Sequence, residues 1–458
     1  CSRSSVSAVN YSAYFSLERT SSSGPHRSNK KKKMDIQEHL TSKVFPASVE
    51  SGAFGADVKR FVCFKANEKQ GTDQFCSKVI FGDVTLEQLT GDRIIVSVVI
   101  KINKPEVKGM LDSYALFHNE NLFYKEVLPF LKNYDTDDFI STSFPEFVYG
   151  TASPGENPED NIIIMKDLTP KGFKLSADRL YLNQKHVELV LDAIGKYHGL
   201  TLKAQSDNPE KFKELTSQIK PTFVSGIADV MFPKEVNLAA LLRGIEPLKN
   251  DGAYQDKLAD LLAHCDNASF KWLGKATQDR SGPVNVIAHG DFHRSNVLFK
   301  YDSNGEPVQA ALFDFATIRL CSPAIDTSVF LFINVPADLR KAQWTNFLRR
   351  YYDALCSPIT GDAKPPSLTT LEQDLRERGV YGFRVVAVMA PMFISHMQGV
   401  DVMPPPGWED LDDEQKLKIM MEHMPNLLET GGTKATELLV GVVKHMIDNN
   451  FIFQDRFE

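Results

Sequence analysis

The stretch that most limits what this chain can fold into is Val286-Ile-Ala-His289-Gly-Asp291-Phe-His-Arg-Ser-Asn296-Val-Leu-Phe299. Its polar loop, His289 to Asn296, is delivered by one apolar run. Eighteen residues after Asn296, a second run, Ala310-Ala-Leu-Phe, delivers Asp314-Phe315. Short apolar runs bounded by turn residues read as buried strands. A loop carboxylate, an amide and a second carboxylate, in that order, suit phosphoryl transfer from ATP. The loop Asp orients the attacking hydroxyl and takes its proton, while the Asn and second Asp hold magnesium on the phosphates. Those roles fall to Asp291, Asn296 and Asp314. Asp and Asn also cap turns, but the whole spacing, with apolar runs on both sides, favours the chemical reading.

At 458 residues the chain is long enough for two or three domains or lobes at about 150 residues each. No apolar run in the sequence reaches the length of a membrane span; the longest strand-like one, Ile94 to Ile102, is interrupted by Ser97 and Lys101. The six cysteines show no C-x-x-C spacing and read as reduced thiols of a cytoplasmic protein, without a disulfide framework or zinc site. A net charge of −7 argues against general nucleic-acid binding.

The first 33 residues differ from the rest: they are Ser-rich and basic, ending in Lys30 to Lys33, with Glu18 their one acid. The first Met is Met34, and the preferred reading is a start there, with a mitochondrial transit peptide as the alternative. Residues 1–45 are therefore expected to be a leader outside the fold.

From 46 to 165 the chain reads as a strand-rich lobe with one helix. Phe61-Val-Cys-Phe, Lys78-Val-Ile-Phe and Arg93 to Lys101 have strand composition. Tyr114 to Phe130 has helical spacing that includes Glu120. A strand Lys held by a helix Glu grips the α- and β-phosphates in the protein-kinase arrangement, so Lys101 and Glu120, nineteen positions apart, are candidates. Gly52 and Gly55 form a degenerate glycine turn that would close over phosphate. Met165 to Leu168, including Asp167, reads as the link between lobes that carries the adenine.

Residues 166–458 are read as mainly helical, with 3.6-residue spacing over His186 to Leu200, Leu238 to Leu248, Lys257 to Trp272, Ala342 to Leu355 and Ala435 to Ile447. Eight of the twelve methionines lie at or beyond Met389. Core filling explains such residues more simply than a pocket for a bulky apolar substrate does.

After Asp314 a protein kinase would continue with Gly and a long activation segment. Here Ala316 follows Phe315, and only eleven residues separate Asp314 from Asp326, too few to dock a protein substrate. A small-molecule acceptor is the better inference.

His289-Gly-Asp-Phe-His-Arg-Ser-Asn296, Asp314-Phe315, Arg319 and Ser322-Pro323-Ala-Ile-Asp326 together resemble the signature of the ecdysteroid-kinase-like family, a relative of choline kinases and aminoglycoside phosphotransferases. The segment Phe117 to Pro129 is similar to that family's early helix, Ile164 to Leu168 to its interlobe link, and His198 falls on a helix His of the family. The resemblance runs from about residue 46 to 450. It implies an α+β, bilobal protein-kinase-like fold, with a small antiparallel-sheet N-lobe carrying one key helix and a larger, mainly helical C-lobe.

It further implies an ATP- and Mg²⁺-dependent enzyme that phosphorylates a hydroxyl of an ecdysteroid or similar alcohol; a monomer with no nucleic-acid or membrane partner is expected. His289 and Asp326 would then support the catalytic loop. Three departures are His293, where the family commonly has Trp, Ala316, in place of a frequent Gln, and the poor glycine loop. Two rivals are weighed against this. One is a choline- or aminoglycoside-type kinase using Asp401, Glu409, Asp410 and Asp412 for a cationic acceptor; the other is an inactive kinase-like scaffold.

Overall fold

The computed structural model describes residues 36–70, 77–103, 113–154, 161–222, 233–400 and 429–453, with a few isolated positions from 411 to 419. The basic leader and the acidic residues Asp401, Glu409 and Asp410 lie outside them.

The first lobe is built on a five-stranded antiparallel sheet. Helix α1 (36–50) precedes β1 (Val58–Gln70), β2 (Ser77–Gln88) and β3 (Arg93–Asn103). Helix α2 (113–132) and the short α3 (Phe139–Ser143) lead to β4 (Phe147–Thr151) and β5 (Ile162–Lys166). The strand order is β1-β2-β3-β5-β4. Period-two alternation sorts the side chains. Val98, Ile100 and Ile102 of β3, with Ile162 and Ile164 of β5, face Leu40, Val44 and Phe45 of α1 in one core. Lys101, paired with Ile163, points to the other face, where Ile163 and Met165 join the larger core with α2. Leu40, Val44 and Phe45 are almost wholly buried. The folded lobe thus starts ten residues before the expected boundary at 46, because an apolar helix face that the sheet needs as a cover lies there.

The second lobe begins with β6 (Phe173–Lys174) and α4 (Gln184–Asp207), then α5 (Pro209–Thr216), α6 (Lys234–Ile245), α7 (Ala259–Cys265) and α8 (Lys271–Gln278). Short strands β7 (Val286–Ala288), β8 (Val297–Tyr301), β9 (Pro307–Leu312) and β10 (Arg319–Cys321) carry the polar loops. Helices α9 (Ala324–Ile333), α10 (Ala337–Cys356), α11 (Leu368–Arg378), α12 (Val380–Met397) and α13 (Gly432–Asp448) complete it. This is the bilobal kinase-like α+β fold. Contrary to the sequence reading, one stretch, α12, is long and apolar enough to cross a membrane. It lies instead against α6, α9 and α13 with Arg384 buried in it, as a core helix does.

Candidate active site

Two strand pairs bring the polar loops together. Ala288 at the end of β7 pairs with Arg319 at the start of β10, and Val297 at the start of β8 pairs with Leu312 at the end of β9. The loop His289 to Asn296 therefore leaves and re-enters the fold beside the turn Phe313 to Thr317, where Phe313 N donates to Asn296 O at 3.2 Å. Gly290 has φ +85°, and a Cβ there would run into the Thr317 carbonyl, so only glycine fits. Asp314 adopts a left-handed backbone (φ 68°), a strained choice for a non-glycine residue of the kind found at functional sites.

The loop hangs from Asp326, the third residue of α9. Its Oδ2 accepts from His289 N at 2.6 Å, its Oδ1 from Gly290 N at 2.8 Å, and His198 Nε2 lies 3.2 Å from Oδ2. Burial works against the ionised form of Asp326, but these partners hold its pKa below the usual carboxylate value. His198 is itself fixed through Nδ1 by Tyr351 Oη at 2.8 Å. His289 Nε2 donates to the Phe313 carbonyl at 2.9 Å. Burial lowers the pKa of the ring, against the opposing pull of the Asp326 charge and of the bond to Phe313. Thr317 Oγ1 donates to His289 O at 3.0 Å, and Arg319 Nη2 to Gly290 O at 3.2 Å. Neither role was legible in the sequence beyond the presence of Arg319 in the motif, because both side chains act on backbone carbonyls.

Asp291 stands at the open edge of this frame, its side chain 41% exposed. Asn296 Nδ2 donates to the Asp291 carbonyl at 2.8 Å and reaches its Oδ2 at 3.4 Å, which leaves Asn296 Oδ1 as the atom able to bind a cation. His293 accepts at Nδ1 from Ser295 N at 3.2 Å, so its Nε2–H is the edge that lies 3.5 Å from Asp291 Oδ1. Burial raises the Asp291 pKa, but His293 and, more weakly, the Arg319 guanidinium outweigh it and bring it to about 2. Asp291 is thus ionised at neutral pH, as a proton acceptor must be.

Lys101 reaches three carboxylate oxygens: Glu120 Oε1 at 2.8 Å, Glu120 Oε2 at 3.0 Å and Asp314 Oδ1 at 2.7 Å. Burial disfavours its charge, yet Asp314 and Glu120 more than compensate and raise its pKa. Glu120 is pushed up, first by burial and also by the Asp314 charge, against the pull of Lys101. The two sequence-distant candidates and the metal candidate Asp314 therefore meet at one ammonium. Among the described residues no group of three or more His, Cys, Asp or Glu side chains could hold a metal by itself. Asn296 and Asp314 together offer two hard oxygen donors, which fits a magnesium ion completed by phosphate oxygens and water.

Phe315 anchors this arrangement: its ring stacks on Phe123 of α2 at 3.8 Å and 3° and lies 4.4 Å from His289. Phe123 opens a π-helical turn, Phe123–Val127, a feature that recurs at functional sites. Met165 sits in β5 facing the same side as Lys101, and Asp167 Oδ1 accepts from Thr169 N at 2.8 Å, shaping the turn between the lobes. The glycine turn lies away from the place the sequence suggests. Gly52 and Gly55 precede β1, at the end of the sheet where Val58 pairs with Gln88, whereas Lys101 pairs with Val79. Nine residues of strand, about 30 Å, separate the two ends, so this turn does not close over phosphates held at Lys101. The β1–β2 connection at Lys101's end, 71–76, lies outside the described residues.

A buried Lys of a five-stranded sheet paired with a helix Glu, beside an Asp–Asn loop carried between short strands of the second lobe, defines the class as kinase-like. The ecdysteroid kinase-like family model matches residues 71–360, and the chain belongs to that family. Membership suggests a kinase-like small-molecule phosphotransferase. No curated protein matches the chain.

Proposed function

We propose that the chain transfers the γ-phosphoryl group of ATP to a hydroxyl of a neutral small alcohol of the ecdysteroid kind. The observation that carries the proposal is the meeting of Lys101, Glu120 and Asp314 within hydrogen-bond distance, beside the Asp291–Asn296 loop. Lys101, positioned by Glu120, grips the α- and β-phosphates, with the nucleotide between the lobe ending near 165 and the lobe from 166 onward. The backbone of the link Met165 to Leu168 carries the adenine. Magnesium, when bound by Asn296 Oδ1 and the Asp314 carboxylate, neutralises phosphate charge. Asp291 orients the acceptor hydroxyl and takes its proton as the oxygen–phosphorus bond forms; ADP leaves with the electron pair of the broken bond. Catalysis is positioning and charge stabilisation, with no covalent enzyme intermediate.

The neutral acceptor is supported by α12. Val385, Met389, Met392, Phe393 and Met397 are half-buried along one stripe of that helix. The Phe393 ring lies 5.3 Å from His293, the neighbour of Asp291. Val385, Met389, Phe393 and Met397 also pack against the core of the second lobe, so core filling accounts for part of this stripe and its exposed part is the surface offered to an acceptor. The scaffold alternative is disfavoured because no phosphate-gripping, base or metal-binding side chain is missing. We also propose a cytoplasmic monomer; Cys63, Cys265, Cys321 and Cys356 are free thiols.

Measuring ADP affinity with and without magnesium tests the nucleotide half. Asp314→Asn should lose most of the magnesium dependence and Lys101→Met most of the affinity. Wild-type behaviour of both would refute the assignment. For the acceptor half, Phe393→Ala should raise KM for a steroid alcohol and leave KM for ATP unchanged, and a preference for choline over the steroid would contradict the neutral acceptor.

A further inference from the structure

The helix that carries Glu120 is held on its other side by a short piece of the second lobe. Beyond α5 the chain passes α2, and there Asn119 spends its whole amide on one residue: Nδ2 donates to Lys220 O at 2.9 Å and Oδ1 accepts from Lys220 N at 2.8 Å. One position earlier, His118 Nε2 bonds the Gln218 carbonyl at 2.9 Å, and the Lys220 ammonium lies 5.4 Å from the Tyr114 ring. Asn119 is fully buried. The far end of the piece is fixed, since Phe212 and Leu215 of α5 are core residues and Ile219 packs against the same core.

We propose that Gln218–Lys220 is a positioning strap, which through Asn119 sets the azimuth of α2 so that Glu120 meets Lys101. Successive helical residues point about 100° apart, so a rigid bidentate anchor at Asn119 fixes the direction in which its neighbour Glu120 leaves the helix. The helix's own hydrogen bonds hold that direction less firmly here, because the regular α pattern gives way to the π-helical turn at Phe123. Glu120 must reach Lys101 through two bonds of 2.8 and 3.0 Å inside a closed interior, where a small rotation breaks both. Asn119 and the Lys220 backbone are positioning groups; they act through Glu120. The inference rests on the reading of Lys101 and Glu120 as the phosphate grip.

The test is equilibrium binding of Mg·ADP to the full chain carrying Asn119→Leu, which keeps the volume and removes both bonds. Lys220→Pro, which leaves Asn119 in place and removes the N–H that donates to it, together with the ammonium over Tyr114, gives an independent variant should the first not fold. Lys101→Met is run beside them. Affinity should fall by about tenfold or more in each folded strap variant, in keeping with the cost of misplacing a binding group, with circular dichroism unchanged. A merely structural strap would lower the melting temperature and leave affinity at the wild-type level, and that result overturns the proposal. If Lys101→Met also binds like wild type, the phosphate-grip reading fails with it. If Lys101→Met alone loses affinity, only the strap fails.

Discussion

At the scale of single residues, the frame around the loop depends on one carboxylate. Asp326 accepts from two backbone N–H groups, the buried one of His289 and the half-buried one of Gly290. Asp326→Ala would strand both donors and leave His198 without its carboxylate, so we expect a loss of roughly 3–5 kcal/mol, read from urea unfolding. The depressed pKa of Asp326 fixes a sign. Its contribution is fully present above the unfolded value of about 3.9 and is lost as pH falls through the lower folded value.

His445 acts at milder pH. It is packed against Trp344 with ring centroids 4.3 Å apart and held neutral, its pKa lowered to about 3 by burial and by the nearby Arg340 charge. The unfolded chain binds this proton at about 6.5. The stability it contributes is complete above that pH and falls by about 1.4 kcal/mol per unit on going down toward 3. His445→Phe should flatten the urea-midpoint profile between those limits; an unchanged slope would mean that another group sets it. The residues that the motif names, His289, Asp291, Asn296, Asp314 and Asp326, were legible because their spacing is fixed by chemistry. Asn119 and Thr317 were not, because bonds to a distant backbone leave no pattern in the sequence.

At the scale of elements, α2 and the turn after β9 are joined by aromatic rings. Phe315 touches Phe123, Tyr124, Phe144 and Tyr197. Phe123→Ala should cost about 3–5 kcal/mol of stability. It should also lower ADP affinity, since the cavity lies between the Glu120 helix and Asp314; a stability loss with intact affinity would show that the stack is only core.

The same scale explains what the sequence reading missed. Helix α9 was absent from it because all ten of its residues are buried, so no polar stripe marks a 3.6 period. The expected helix 257–272 divides into α7 and α8 around Asp266-Asn267, residues whose side chains compete for backbone groups. Strands β1 and β2 run longer than their apolar centres because their outer residues face water on an edge hairpin. The glycine turn failed for another reason: closeness to a strand in sequence does not say which end of the sheet it occupies.

At the scale of the molecule, the candidate site is one cleft with two walls. The sheet supplies Lys101, α2 supplies Glu120, and the second lobe supplies Asp291, Asn296 and Asp314. A ligand that bridges them should stabilise both lobes together. Mg·ADP at about a hundred times its Kd should add about 2.7 kcal/mol, seen as a higher melting temperature in wild type and no shift in Lys101→Met. A shift of equal size in that variant would separate nucleotide binding from the cleft.

The most direct test of the central claim is transfer itself. Wild type and Asp291→Asn would be incubated with Mg·ATP and a panel of ecdysteroids, choline and small alcohols, and products read by mass spectrometry. The account predicts a phosphorylated neutral alcohol with wild type and a rate lower by at least ~10² in the variant. Equal turnover by Asp291→Asn would contradict it.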